Sequence, residues 1–244
     1  MSRNIYIGTS GWTYDDWRGR FYPAKVPRKG WLAWYATQFC ATEINGSFYR
    51  TPSIEAVQAW HDATPDDFRF AWKASQFITH WKRLSPNSQN SIELMESRLT
   101  VLGCKSGPVL FQLPARFKAD CERLAQFLEM LPRAYDYAFE FRDASWYQEA
   151  VFALLRHRNV SLCLSDHFQA PAPWIVTARH VYVRGHGPTG RYRDSYPQSA
   201  LQSLAERIRT WRTERRQVYV FFDNDQKSAA PKDAARLEAL LSDD

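Results

Sequence analysis

The sequence predicts an α/β fold, a TIM-type (β/α) barrel, on three observations. Its 244 residues match the size of one such barrel. Short β-branched or aromatic runs alternate with segments of helical period, which is typical of repeated βα units around a parallel sheet. Eight such runs occur, and a barrel of this type has eight strands. We therefore expect residues 1–244 to form one barrel domain.

The eight predicted strands are short and are spread over the whole chain. They are residues 5–8, 42–45, 69–73, 109–113, 138–141, 161–165, 181–184 and 218–222. Glycines and prolines stand mostly between them, where turns belong. An open doubly wound sheet is the alternative fold, but the G-x-G-x-x-G turn that such sheets often carry does not follow the first predicted strand.

Four apolar stripes at helical spacing predict helices that cover the outside of the sheet. The stripes are Trp31, Trp34, Tyr35 and Phe39; Ile92, Met95, Leu99 and Leu102; Cys121, Leu124, Leu128 and Leu131; and Leu201, Leu204, Ile208 and Trp211. Residues 167–179, between the sixth and seventh predicted strands, contain Pro171 and Pro173 and no such stripe. We predict an irregular connection there, without a helix.

Composition excludes several classes of protein. A hydrophobic content of 45% is too high for a disordered or fibrous chain. No apolar run approaches the roughly 18 residues of a membrane span, and no secretory leader follows Met1, so we predict a cytoplasmic protein without a membrane partner.

The four cysteines are far apart and form no C-x-x-C pair, which predicts buried reduced thiols. They are Cys40, Cys104, Cys121 and Cys163.

Two clusters of residues, one basic and one aromatic, could bind a partner, and each cluster also has a structural interpretation. The net charge is +6, and the densest basic stretch is either a nucleic-acid contact or a solvated face. It contains Arg207, Arg209, Arg212, Arg215 and Arg216. The aromatic residues after the first strand either stack a base or sugar or pack their own loop. They are Trp12, Tyr14, Trp17, Phe21 and Tyr22. No protein partner is predicted.

Strand parity directs polar side chains of several strands towards one interior. Glu43 alternates with Ile44, and Arg184 alternates with Val183, so the apolar member of each pair suits the helix-facing side. The same parity assigns to the interior Ser10, Asn45, Lys73, Gln112, Glu140, Arg142 and His186. Barrel active sites are assembled at the C-terminal ends of strands, so these residues predict a polar site at that rim.

Four residues are candidates for acid–base catalysis. Glu43 and Glu140 could serve as general acid and base, and His186 could carry a proton near neutral pH. Asp166 has the parity of the apolar residues in its strand and is expected just past the strand end. These side chains could also bind a metal, but H-E-x-x-H, paired cysteines and an EF-hand loop are all absent from the sequence. We predict no metal site and assign no cofactor.

The cations suggest three roles. Arg142 and Arg184 could form a fork for phosphate or carboxylate, and Lys73 could hold an anion or form a Schiff base. The alternative is a structural ion-pair network, because buried charges need partners. Further candidates for substrate binding are Ser10, Trp12, Asn45, Tyr49, Arg50, His80, Gln112 and Asn224.

An ordered set of motifs resembles the YecE-like family, also called the domain of unknown function seventy-two. The motifs include Gly8-Thr9-Ser10-Gly11-Trp12, Glu43-Ile44-Asn45, Ser47-Phe48-Tyr49-Arg50, Ile78-Thr79-His80, Gly107-Pro108-Val109-Leu110-Phe111-Gln112-Leu113-Pro114, Phe139-Glu140-Phe141-Arg142 and Tyr182-Val183-Arg184-Gly185-His186-Gly187. The resemblance covers nearly the whole chain. It implies a TIM-type barrel and brings no established reaction. Two positions depart from the family pattern: Asp143, where His is common, and Asp223, where Asn is common.

Three functions are consistent with these residues. The first is an enzyme that acts on an anionic substrate, phosphate-bearing or derived from nucleic acid, at the C-terminal rim. The second is a non-catalytic nucleic-acid-binding protein that uses the basic and aromatic clusters. The third is a Schiff-base lyase or aldolase that uses Lys73.

Overall fold

The computed structural model of this chain describes residues 4–242 and shows a TIM-type α/β barrel. Eight parallel strands form one sheet in the order β1-β8-β7-β6-β5-β4-β3-β2. They are β1 (Ile5–Thr9), β2 (Ala41–Ile44), β3 (Arg69–Lys73), β4 (Ser106–Gln112), β5 (Tyr137–Glu140), β6 (Ser161–Ser165), β7 (His180–Gly185) and β8 (Gln217–Phe222). All eight predicted strands are confirmed, with ends that differ by up to three residues.

Strands β1 and β2 meet where the barrel closes, and a side-chain hydroxyl connects them in addition to backbone pairing. The two strands share one isolated bridge, between Ser10 and Glu43. Further down, the Tyr35 hydroxyl accepts a hydrogen bond from the Thr9 amide at 2.8 Å and donates to the Ala41 carbonyl at 3.1 Å. Tyr35 is fully buried. Its hydroxyl therefore joins two strands whose regular ladder is interrupted.

Seven α-helices of very different lengths surround the sheet. They are α1 (Trp31–Tyr35), α2 (Ile54–Asp62), α3 (Gln89–Leu102), α4 (Cys121–Met130), α5 (Glu149–His157), α6 (Gln198–Thr213) and α7 (Ala229–Ser242). Each of the four predicted stripes lies on a helix, although Phe39 and Leu131 fall just beyond the ends of α1 and α4. Three helices, α2, α5 and α7, were not predicted. No helix within residues 4–242 is long and apolar enough to cross a membrane.

The connection between β6 and β7 contains no helix, as predicted. The chain instead crosses the outside of the sheet in an irregular segment that includes Pro171 and Pro173. Hydrogen bonds connect this segment to β6 near both of its ends. The Ala172 amide donates to the Ser165 carbonyl at 2.7 Å, and the Leu162 amide donates to the Thr177 hydroxyl at 2.7 Å.

The core has two layers, one on each side of the sheet. Inside the barrel, small and aromatic side chains form one cluster. Its members are Tyr6, Cys40, Ala41, Ala71, Leu110, Ala138, Cys163, Tyr182, Tyr219 and Phe221. On the outside, the strand residues of the opposite parity pack against the helices, as Val183 and Val220 do. The predicted alternation of strand faces is therefore confirmed.

The cysteine prediction is correct in part. None of the four cysteines forms a disulfide within the described residues, and Cys40 and Cys163 are buried inside the barrel. Cys121 is half-buried at the first position of α4, and Cys104 is exposed in the turn that follows α3. Burial was therefore wrongly predicted for Cys104, because an apolar neighbourhood in sequence does not bury a residue that lies in a surface turn.

Candidate functional site

Arg184 is the centre of an ion-pair network at the C-terminal end of the barrel. It lies near the end of β7 and is 1% exposed. Its Nη2 lies 2.9 Å from Glu43 Oε1 and 2.7 Å from Asp223 Oδ2, and its Nη1 lies 2.8 Å from Glu140 Oε2. One guanidinium thus joins carboxylates from β2, β5 and the residue after β8. Burial opposes its charge, but Glu43 and Asp223 outweigh burial and raise the pKa of Arg184.

Glu43 is held by hydroxyl groups as well as by Arg184. The Tyr182 hydroxyl donates to Glu43 Oε2 at 2.6 Å, and the Ser10 hydroxyl donates to Glu43 Oε1. Arg184 Nη2 in turn donates to the Ser10 oxygen at 3.0 Å. All of these groups are buried. Both oxygens of Glu43 are therefore used inside the protein, and a substrate cannot reach them without disturbing the network.

Glu140 binds the second guanidinium of the network. Its Oε1 lies 2.6 Å from Arg142 Nη2, and its Oε2 binds Arg184. Burial opposes ionisation of this carboxyl group, but Arg142 and Arg184 outweigh burial and hold the pKa of Glu140 below its usual range. Such a carboxylate stays ionised at neutral pH and is poorly suited to act as a general base. It serves as a permanent counter-ion.

His186 lies between the two guanidinium groups and is oriented by Asp166. Its Nδ1 is 3.1 Å from Asp166 Oδ1, and Asp166 also accepts from the His186 backbone amide at 2.7 Å. Its Nε2 lies 3.2 Å from a nitrogen of Arg142 and 3.2 Å from a nitrogen of Arg184. Because guanidinium nitrogens only donate, Nε2 is the acceptor in these two contacts, and Nδ1 faces the carboxylate of Asp166.

Lys73, at the end of β3, is a buried amine outside this network. It is 6% exposed, and no carboxylate within residues 4–242 lies within ion-pair distance of its Nζ. Its Nζ lies 4.6 Å from the centroid of the Phe48 ring. Burial and the charge of Arg184 lower the pKa of Lys73 to about 8. A substantial fraction of this amine is therefore neutral just above physiological pH.

Lys73 lines a cleft of about 940 Å³ at the C-terminal rim, which lies at the upper end of the usual range for ligand sites. Aromatic side chains form much of its wall, namely Trp12, Tyr14, Phe48, Tyr49, Trp60 and Tyr192. Polar side chains also line it, namely Arg28, Lys29, Asn45, Lys73, His80, Gln112, Asp223 and Asp225. The cleft thus combines stacking surfaces with groups of both charges.

Two further side chains in the cleft have displaced pKa values. Burial and the neighbouring cations Lys73 and Arg142 lower the pKa of His80 to about 4, so this ring is neutral at physiological pH. Burial and Asp223 raise the pKa of Asp225 to about 6. Titratable groups with pKa values moved apart in one cleft are typical of functional sites, although ion-pair networks also move them.

The predicted site residues fall into three groups. The buried network contains Ser10, Glu43, Glu140, Arg142, Arg184 and His186, with Asp166 beside it. The cleft contains Trp12, Asn45, Tyr49, Lys73, His80 and Gln112. Arg50 is exposed and does not line the cleft. Asn224 is buried, and its Nδ2 donates to the Asp194 carbonyl at 2.7 Å and to Asp233 at 2.9 Å, so its role is to hold a loop.

The proposed fork of Arg142 and Arg184 is not open to a free anion. Arg184 is occupied by three carboxylates, and Arg142 donates to Glu140 and to the Tyr192 hydroxyl at 2.8 Å. Neither residue lines the cleft. The sequence could not exclude this fork, because strand parity gives the direction of a side chain but not the number of its partners.

The aromatic residues after β1 pack mainly against each other. Trp17 and Tyr22 are buried, and Tyr22 stacks on Trp31 with a centroid distance of 4.5 Å. Only Trp12 and Tyr14 of this cluster reach the cleft. In the basic stretch, Arg209 donates to a backbone carbonyl of α7 at 2.6 Å. Packing therefore explains most of the aromatic loop.

Asp223 and Tyr192 each contact the network and also line the cleft, but neither was among the predicted site residues. Asp223, directly after β8, is the third carboxylate on Arg184 and also lines the cleft. Its place directly after a strand made it a plausible rim group from the sequence, although only Asn224 of the 223–225 segment was selected as a site residue. Tyr192 lies in the loop after β7 with a φ of 65°, lines the cleft and accepts from Arg142. No periodic pattern surrounds it, so the sequence carried no signal for it.

The carboxylate and histidine side chains of this region are potential metal ligands. Within residues 4–242, no group of three or more His, Cys, Asp and Glu side chains is arranged to hold a metal ion. The acidic residues of the network already face guanidinium groups, which would oppose a cation at the same place.

Curated relatives support the family indicated by the motifs. The chain is 25% identical over 269 residues to UPF0759 protein YunF of Bacillus subtilis, an alignment that covers 97% of this chain and 94% of the relative. It is 31% identical over 144 residues to UPF0759 protein YecE of Escherichia coli K12, which covers 59% of this chain and 50% of that relative.

Solved structures give the same result at the level of the fold. A DUF72 family protein from Thermotoga maritima MSB8 superposes with a TM-score of 0.88 at 27% identity, over 98% of this chain and 100% of that one. A DUF72 family protein from Enterococcus faecalis V583 gives 0.83 at 21% identity, over 98% and 95%. The family described as "Protein of unknown function DUF72" matches residues 6–244. The chain therefore belongs to the DUF72 family.

Proposed function

We propose that the protein is an enzyme that forms an imine between Lys73 and an aldehyde or ketone substrate carrying an anionic group. The observation that carries the proposal is the environment of Lys73. Its amine is buried at the cleft, lacks a carboxylate partner within the described residues, and has its pKa lowered to about 8. Lysines made neutral in this way are the nucleophiles of Schiff-base enzymes.

The chemical step needs only the amine, the carbonyl group and one proton. The neutral Nζ attacks the carbonyl carbon and a C–N bond forms. The carbonyl oxygen takes up protons, one of them from outside the reacting pair, and leaves as water. The iminium that results keeps the positive charge and withdraws electrons from the adjacent carbon. Cleavage of a C–C bond or removal of a C–H proton at that carbon would then make the protein a lyase or an aldolase.

The anionic part of the substrate is assigned to the exposed cations of the cleft. Arg28 and Lys29 line it, and both are exposed. Arg28 has a loose ion pair with Asp15 at 3.5 Å, and no ion pair of Lys29 occurs within the described residues. Arg28 and Lys29 therefore replace Arg142 and Arg184 as the proposed anion-binding groups. The neutral ring of His80 and the carboxyl of Asp225 supply acid–base groups in the same cleft. A cytoplasmic location belongs to the same proposal.

The test is reductive trapping with pyridoxal 5′-phosphate, a phosphate-bearing aldehyde, followed by borohydride and peptide mapping by mass spectrometry. We expect labelling of Lys73 well ahead of the exposed Lys118, with a pH midpoint near 8 because the neutral amine is the reactive form. Lys105 is the internal control. It is also buried, but its Nζ donates to two backbone carbonyls at 2.6 and 2.7 Å, so we expect no adduct there.

Two comparisons make this experiment decisive. Lys73→Met should keep the fold and lose the adduct, because no ion pair within residues 4–242 depends on this amine. Pyridoxal without the phosphate should label Lys73 several-fold more slowly, because it lacks the anionic group. Absence of a Lys73 adduct at pH 8, or labelling no faster than at Lys118, would contradict the imine proposal. Equal labelling by pyridoxal would contradict only the anionic part.

A second candidate function is single-stranded nucleic-acid binding at the cleft mouth. Its supporting observation is a pair of exposed aromatic residues, Tyr49 at 73% and Trp81 at 68% exposure, beside Arg50 and Lys82. Bases stack on such rings, and basic neighbours bind phosphates. Retention of labelled single-stranded DNA or RNA should then fall steeply as salt rises, and retention that is absent or insensitive to salt would reject this function.

A further inference from the structure

A second cavity lies on the outer side of the sheet, where the barrel lacks a helix between β6 and β7. Its volume is about 350 Å³, at the lower end of the range for ligand sites. Apolar side chains of β6, β7, β8 and α6 form most of its wall, namely Leu164, Val183, Ala200, Leu201, Leu204 and Phe222. In a complete barrel a helix would cover this surface. Here the irregular segment after β6 leaves the space open.

Two polar side chains that line this cavity, Tyr196 and Asp166, already have hydrogen-bond partners within the protein. The Tyr196 hydroxyl donates to Asp166 Oδ2 and accepts from the Gly187 amide at 2.8 Å. Asp166 Oδ1 binds His186. Neither Tyr196 nor Asp166 is therefore left to bind a polar ligand group. The inner part of the cavity is consequently suited to an apolar chain or ring.

The mouth of the cavity carries a cation that stacks on an aromatic ring. Arg207, on α6, and Trp174, from the irregular segment, both line it. The Arg207 Cζ lies 4.3 Å from the centroid of the Trp174 ring, and Trp174 is 50% exposed. No carboxylate within residues 4–242 forms an ion pair with Arg207. A guanidinium stacked on an aromatic face keeps its edge free for a planar anion such as a carboxylate.

We propose that this cavity is a binding site for a small amphipathic carboxylate, with its apolar part against Leu164 and Leu204 and its carboxylate on Arg207. Charge complementarity at the mouth selects an anion, and the apolar wall selects a hydrocarbon tail or ring. The site is separate from the cleft that contains Lys73, because the sheet lies between the two. The inference therefore stands independently of the proposed imine chemistry.

The test uses octanoate as the probe and 1-octanol as its uncharged analogue, with binding measured by isothermal titration calorimetry. We expect wild-type protein to bind octanoate more tightly than octanol. Arg207→Gln should weaken octanoate about tenfold, which corresponds to about 1.4 kcal/mol, and leave octanol nearly unchanged. Arg212→Gln is the matched control, because Arg212 is exposed on the same helix and does not line the cavity. It should bind octanoate like wild type.

Filling the cavity provides a second, independent variant. Ala200→Phe should abolish binding of both probes, and Ser203→Phe serves the same purpose from the mouth if the first variant does not fold. Lys73→Met should bind octanoate like wild type, which separates this proposal from the imine proposal. Failure of wild type to bind octanoate, equal affinity for octanol, or an unchanged affinity in Arg207→Gln would each overturn the assignment.

Discussion

Replacing Arg184 by Met should test the network most directly, because this residue compensates three buried carboxylates at once. After the substitution Glu140 keeps Arg142 as a partner. Glu43 keeps only the hydroxyls of Tyr182 and Ser10, which do not neutralise its charge. The methionine side chain fills much of the vacated space, so the loss is mainly electrostatic rather than a cavity.

The expected magnitude follows from the cost of leaving a buried charge without its partner, which is about 3–5 kcal/mol. We expect a loss of about 4 kcal/mol at pH 7.5. The pH dependence has a definite sign. In wild type the pKa of Glu140 is lowered, so its contribution is present above its unfolded pKa and is lost as the pH falls. In Arg184→Met the uncompensated carboxyl groups are relieved by protonation. The difference between the two proteins should therefore shrink by at least about 1 kcal/mol at pH 4.5.

Urea unfolding of both proteins at pH 7.5 and pH 4.5, followed by tryptophan fluorescence, measures this difference. Arg156→Met is the control, because Arg156 pairs with the exposed Glu149 on the surface of α5. It should cost less than about 1 kcal/mol. A loss below about 1 kcal/mol for Arg184→Met at pH 7.5, or a difference that does not change with pH, would refute the electrostatic reasoning.

Two further predictions concern stability at other places in the barrel. Gly8→Ala should cost at least about 3 kcal/mol by urea unfolding, because a Cβ there would lie 1.9 Å from the Ala41 carbonyl oxygen across the β1–β2 closure. Gly46→Ala, where a Cβ meets no atom within 4 Å, should stay within about 1 kcal/mol of wild type, and equal losses would contradict the clash. Lys105→Met should cost about 1.5–3 kcal/mol because the carbonyls of His61 and Thr64, at the end of α2, lose a charged donor, and a neutral effect in the same assay would exclude that role.

Local periodicity was sufficient to predict the strands and the connection without a helix. It was not sufficient for α2 and α7, whereas α5 carries a short apolar stripe, Val151, Phe152 and Leu155, that the sequence analysis overlooked. In α2 the only buried residue is Val57, so the helix presents no continuous apolar stripe. In α7 the buried residues include alanines and Asp233, which a search for large apolar residues overlooks. Packing against neighbouring elements, rather than amphipathic pattern, stabilises such helices.

The sequence predicted which polar side chains share the barrel interior, but it did not predict how they are arranged there. Parity correctly directed Glu43, Glu140 and Arg184 into one interior, where they are now seen in contact. It gave no means of separating the closed network from the open cleft. Lys73 has the same parity as the network residues, but it lines the cleft and has no ion pair within the described residues.

By itself, the sequence determined which face of each strand carries its charges, because side chains alternate with a period of two and apolar residues favour the helix-facing side. Only the tertiary structure decided how those charges are paired. Glu43 and Tyr182 are 139 positions apart and meet because the barrel closes. Ion pairing and the cost of burying a charge depend on such non-local distances. For that reason, the same strand pattern yields an Arg184 bound to three carboxylates and a Lys73 that has no ion pair among residues 4–242.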